Sequence, residues 1–216
     1  MIRNSPHNSP QSYLGLYSSF GLLFSIIGFL PFLDVEQQKN LLAEGGLFES
    51  LTVYLYIFCL ILIGVRWPLQ KILSHWYLSV LIILFALREL DYDKAYFTHG
   101  VLKSRQYFSD LVGLPEFLIS LAVLIFILTV LLLIVLRERN NFIKGVIDLR
   151  QSQLAVLTSI IFVFVTKTID GMERKFGIDL SPEGERFALI VEEVGEMGIP
   201  IMFAIAILSW RNKSQT

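Results

Sequence analysis

The chain has 216 residues, 54% of them hydrophobic, and a mean hydropathy of +0.62. Apolar runs near twenty residues long recur along it, which excludes an ordinary soluble domain and points to an integral membrane protein. The formal net charge is only -1, so no global basic field speaks for nucleic acid, and the single cysteine, Cys59, has no internal disulfide partner.

Residues 1–12 are polar, with Arg3 as their one basic side chain. The apolar run that follows, Tyr13 to Leu33, is longer than the core of a secretory leader. No small-x-small cleavage site comes after it, so it reads as an uncleaved first span. About twenty apolar residues cross the ~30 Å hydrocarbon core of a bilayer. By that rule six spans are predicted, at about 13–33, 47–66, 73–90, 115–136, 153–170 and 183–210. The expected fold is therefore all-α, a polytopic membrane helix bundle. It forms one transmembrane domain over 13–211, between a polar N-terminus (1–12) and a short polar tail (212–216).

Several boundaries carry their own chemistry. Arg66-Trp67-Pro68 closes the second span. Pro115-Glu116 opens the fourth, since proline suits the first helical turn. Ser181-Pro182-Glu183 opens the sixth with an N-cap residue, a first-turn proline and an early acid. Two loops, Asp34 to Ala43 and Val101 to Val112, are predicted to hold short interfacial helices, the first stopped by Gly45-Gly46.

Six spans place both termini on one side. With that side cytoplasmic, the inner segments carry nine of the eighteen basic residues and only two of the nineteen acids, Glu138 and Asp148. Trp67, Trp76 and Trp210 fall at the same interface, as an aromatic belt would. The expected location is a multi-pass cell (inner) membrane with N- and C-termini cytoplasmic.

The sixth span holds the main anomaly. Glu192, Glu193 and Glu196 form a triangle over one helical turn inside an apolar run. A carboxylate near the bilayer centre costs roughly 2.5–3.5 kcal/mol on insertion scales, so something must meet it. Gly195 and Gly198 permit close approach of another helix. Pro200 cannot donate to the carbonyl of Glu196, and its ring crowds that carbonyl, so a kink is expected there.

Charged residues on the other spans lie at the same outer level. Glu49 shares a helix face with Thr52 and Tyr56. Glu89, Asp93 and Tyr96 lie on one face of the third span and its extension, with Arg88, Asp91 and Tyr92 on another. Glu116 opens the fourth span, and Lys167, Asp170 and Arg174 form a stripe on the fifth. The candidate site is Glu192, Glu193, Glu196, Glu49, Glu89, Asp93 and Asp170, with Arg88 and Lys167 as counter-ions. Acid exceeds base there, which suits a proton or cation site, and equally a bound divalent metal.

Other chemistries find less support. His7, His75 and His99 are too dispersed for a histidine zinc site, and HExxH, GxSxG, P-loop and Rossmann patterns are absent. The Glu192-Glu193 pair resembles the paired glutamates of CPBP-type intramembrane proteases. Position 197, however, is methionine where that motif has arginine, and its later histidine motifs are missing. Glu192-x3-Glu196 is similar to the acidic motif of undecaprenyl-pyrophosphate phosphatases, without their Pro-Gly-x-Ser-Arg loop.

Three functions remain. The first is a small transporter-like protein binding a cation, proton or charged substrate. The second is a membrane-embedded metal-dependent hydrolase or transferase acting at the membrane surface, for instance on a lipid-linked substrate. The third is a scaffold or sensor whose buried ion pairs fix helix packing. The lipid bilayer is the one partner common to all three.

Overall fold

The computed structural model describes residues 13–43, 45–172, 177 and 179–210. The predicted polar N-terminus, Arg174 and the polar tail lie outside the described residues. Among the described residues all regular structure is helical: α1 (Leu14–Phe29), α2 (Val35–Leu42), α3 (Leu47–Arg66), α4 (Leu69–Ser74), α5 (Trp76–Glu89), α6 (Tyr92–Tyr96), α7 (Arg105–Phe108), α8 (Leu114–Ile147), α9 (Gln151–Asp170) and α10 (Pro182–Ser209). A 3-10 turn, Leu30–Phe32, ends α1 at Pro31.

Four stretches are long and apolar enough to cross a membrane: Leu14–Phe32, Val35–Arg66, Leu114–Ile147 and Gln151–Asp170. Two of the six expected spans do not meet that measure. The stretch expected as the third span is divided at His75, and α5 has only 14 residues, about 21 Å at 1.5 Å per residue. The sixth, α10, is 28 residues long but carries its three glutamates in the apolar run. Large apolar side chains face outward along the candidate spans, Phe24, Val65, Leu132 and Phe164 among them. So much outward apolar surface is what a lipid-facing protein presents.

The bundle is built around α10. It packs against α9, α3 and α1, while α5 packs against α3 and α8. Its buried residues run from Ile190 through Ile207 and include Glu196, Gly198 and Pro200. Each neighbour answers with a stripe at helical spacing. On α1 the buried Leu16 and Leu23, and Leu30 just beyond it, recur every seven residues. On α3 the stripe is Phe48, Thr52, Tyr56, Cys59 and Ile63. On α9 it is made of small residues, Ser152, Ala155, Ser159 and Thr166. Small residues let two backbones approach closely, which is how helices pack where lipid weakens the hydrophobic drive. Gly195 and Gly198 complete that contact from α10. A Cβ on Gly195 would lie 2.7 Å from Thr166 Cγ2, and one on Gly198 would lie 2.6 Å from Phe162 Cε2.

Two helices run on past points that the sequence marks. At Pro200 α10 continues as helix to Ser209, and the Cys59 thiol donates to the Pro200 carbonyl at 3.2 Å. Packing on several sides of α10 holds the helix together through a residue that would weaken it in isolation. The helix of the fourth expected span also continues past Leu136. As α8 it runs on to Ile147, 34 residues or about 51 Å, since nothing between Arg137 and Ile147 breaks a helix. Only Asp148–Arg150 then separates α8 from α9, with Leu149 in the left-handed region at φ 53°. The Tyr13 hydroxyl donates to the Leu149 carbonyl at 2.6 Å and ties the start of α1 to that turn.

The loop before α8 has its own organiser. Glu116 accepts from the Thr98 amide at 2.7 Å, the Thr98 hydroxyl at 3.1 Å and the Gln106 side chain at 2.8 Å. Gln106 is fully buried and also accepts from the His99 amide at 2.8 Å. Glu116 therefore serves its loop and does not join the carboxylates of α10. Glu116→Ala is expected to leave the helical content intact and to speed amide exchange at Thr98 and His99 several-fold. Hydrogen exchange by mass spectrometry reads this directly, and protection unchanged over residues 97–108 would contradict it.

Candidate functional site

The three glutamates of α10 occupy one turn because residues three and four apart lie on one helix face. They do not share one environment. Glu196 is buried, at 8% exposure, and Glu192 and Glu193 are half-buried. Glu196 Oε1 lies 2.6 Å from Arg88 Nη2, at the end of α5, and 3.5 Å from Lys167 Nζ, near the end of α9. Lys167 also lies 3.4 Å from Asp170 Oδ2 on its own helix. One carboxylate thus engages bases from two other helices. The close approach of α9 at Gly195 and Thr166 brings Lys167 to Glu196, because each charged residue directly follows one of that pair.

The other predicted residues are placed differently. Glu89 neighbours Arg88 on α5 and is buried, at 8% exposure; among the described residues its Oε1 has no hydrogen-bond partner. It lies within electrostatic range of Glu196, Arg88, Lys167 and Glu49. Glu193 is within range of Glu196, Glu192, Glu89 and Glu49. Glu192 looks toward α9, within range of Asp170, and with Asp170 and Glu185 it lines a cavity of about 210 Å³ whose other walls are apolar. Glu49 has a local task as well: its Oε2 accepts from the Gly45 amide at 2.6 Å, where Gly45 sits at φ +74°. Asp93 lies on the short α6 and packs on Gly100, where a Cβ would fall 2.7 Å from Asp93 Oδ2.

Sequence reasoning placed Tyr56 on the face of Glu49 but gave it no role. Its side chain is fully buried and its hydroxyl has no hydrogen-bond partner. It lies within electrostatic range of Glu89, Arg88 and Glu196. The available signal was a phenol in mid-span, seven residues from an acid and on the same stripe.

The divalent-metal expectation gains nothing from this geometry. Among the described residues no group of three or more His, Cys, Asp or Glu side chains is arranged to hold a metal ion.

At the opposite end, aromatic rings gather around Lys71. Its Nζ lies 4.1 Å from the Trp67 ring centroid and 4.7 Å from that of Trp210. Those two rings are 5.6 Å apart. Burial pushes the Lys71 ammonium below its usual range, and Glu138 opposes that shift. Glu138, on the extension of α8, accepts from the Tyr77 hydroxyl at 2.5 Å and lies 3.7 Å from His75 Nε2. A cation held over two indole faces is worth roughly 0.5–2 kcal/mol. Lys71→Met is expected to destabilise by about 1 kcal/mol and to alter tryptophan emission. An unchanged spectrum and melting temperature would show that the lysine only rests there.

Compared with known protein families, curated proteins and solved structures, the chain matches none of them.

Proposed function

We propose that this chain is a small multi-pass membrane protein, transporter-like, that binds a proton or small cation at the charged end of its bundle. In this reading all six hydrophobic segments are membrane-embedded, with α5 and α10 shielded by their neighbours, and both termini are cytoplasmic. The charged end then faces outward. The supporting observation is the imbalance around Glu196. Two bases, Arg88 and Lys167, answer that carboxylate, while Glu49, Glu89, Glu192 and Glu193 lie in the same field. Ionisable residues at membrane depth that exceed their counter-charges are typical of ion and proton pathways. The mutual placement of acids and bases on four helices also provides a means of coupling charge uptake to helix movement.

The test is reconstitution of the full chain in liposomes, with imposed H⁺, Na⁺ and K⁺ gradients taken one at a time. Flux that follows one gradient and is lost in Glu196→Gln supports the reading. Vesicles as tight as protein-free controls under every gradient would sink it.

A second reading, a scaffold, is favoured by the 2.6 Å Arg88–Glu196 pair alone. Buried pairs of that kind can fix helix register without any transport. It predicts loss of stability on mutation, with no flux to lose.

A further inference from the structure

We infer that Glu89 is the proton-binding group of this site, holding an exchangeable proton beside Tyr56, while Glu196 is engaged by Arg88 and Lys167. The inference deepens the proposed function by naming its charge carrier, and rests on that reading only for its purpose, not for its chemistry.

The two buried glutamates differ in their company. Glu196 has a guanidinium at 2.6 Å and an ammonium at 3.5 Å. Glu89 is equally buried, yet among the described residues its Oε1 is unpartnered, and so is the fully buried Tyr56 hydroxyl in the same field. A buried carboxylate without a hydrogen-bonded counter-charge is among the most costly groups a protein can hold. Taking up one proton removes that cost and leaves a neutral acid.

The charges facing Glu89 point the same way. Arg88 precedes it on α5 but is spent on Glu196. From α3 come Glu49 and the Tyr56 phenol, from α9 Lys167, and from α10 Glu193 and Glu196. Lys167 is shared between Glu196 and Asp170. Just before α6, Asp91 is paired with Lys94 at 2.8 Å, and on α8 Glu116 and Glu138 are occupied in the loop and at the opposite end. Among the described residues, acids therefore outnumber the bases left to answer Glu89. A proton needs only one oxygen, whereas a hard divalent cation takes about six or more. Loss of the proton would leave two carboxylates competing for Arg88 and Lys167, so the proton's presence sets which of them the bases hold.

The experiment is infrared difference spectroscopy of the purified full chain in lipid nanodiscs, titrated with alkali. The expected result is a protonated-carboxyl C=O band at neutral pH that vanishes in Glu89→Gln, weakens in Glu196→Gln, where Arg88 is released to answer Glu89, and shifts in frequency in Tyr56→Phe. Glutamine is the neutral isostere of the acid, so Glu89→Gln is expected to fold and elute as wild type does. A band unchanged in Glu89→Gln, a band removed by sodium at constant pH, or a Glu89→Gln protein that fails to fold would each overturn the inference. Failure of the broader reading looks different: the band is present and flux is absent. Flux without the band keeps the transporter and discards Glu89.

Discussion

Glu196→Gln is expected to lower stability by about 1–3 kcal/mol and to abolish flux. Breaking a buried ion pair by removing one partner costs roughly 3–5 kcal/mol, because the partner's charge is left uncompensated. The smaller figure applies here since the Arg88 and Lys167 side chains retain 30% and 40% exposure. Partial exposure lets water or lipid headgroups take up some of the stranded charge. Lys167 also keeps Asp170, at 3.4 Å, so Arg88 bears most of the loss. The double substitution Arg88→Gln with Glu196→Gln removes both charges and is expected to recover part of the stability. It should recover none of the flux. Thermal unfolding of the single and double variants, arranged as a double-mutant cycle, separates the pair's contribution from that of each side chain.

The second large effect is expected at Gly198. A Cβ there would lie 2.6 Å from Phe162 Cε2 and 3.2 Å from Leu23 Cδ1. The Phe162 ring can yield to alanine by a small shift. Valine adds two methyl groups facing both α9 and α1, which cannot be met without separating the helices. Overpacking of that kind costs about 1–3 kcal/mol. The consequence reaches the site, because Gly195 and Thr166 belong to the same contact and Glu196 and Lys167 directly follow them. Gly198→Val should therefore lower the melting temperature by several degrees and weaken the Lys167–Glu196 approach, while Gly198→Ala does less of both. Equal stability of the valine and wild-type proteins would mean that α9 and α10 are not held at that distance.

The partners of Glu196 can be anticipated from residue spacing. Three acids in an apolar run demanded counter-charges, and Arg88 and Lys167, each just before the end of its segment, were the bases able to reach without long excursions. Both do approach Glu196. Gly195 and Gly198 announced a close helix contact, and α9 makes it. Other features depend on three-dimensional choices that spacing cannot encode. Glu116 and Glu49 carry the same charge as the α10 acids and sit at segment starts, yet their oxygens are taken by nearby amides of loops whose course is set by Gly100 and Gly45 at positive φ. The extension of α8 beyond Leu136 is concealed by its charges, which mark an inner connecting segment while forming helix that meets Tyr77 and His75 through Glu138. That α10 stays helical through Pro200 depends on packing from α3 and α9, which residue spacing does not show. Glu89 and Glu196 were indistinguishable in sequence, since their difference is whether a guanidinium lies within hydrogen-bonding distance.

The most direct test of the account compares wild type and Glu196→Gln, reconstituted at equal density in liposomes carrying an internal pH-sensitive dye. Under an imposed proton gradient, wild-type vesicles should dissipate it faster than protein-free vesicles, and the variant should not, although both remain folded by circular dichroism. Equal proton flux in the two proteins, or none in either, would contradict a charge-carrying role for the site and leave the ion pairs to structure alone.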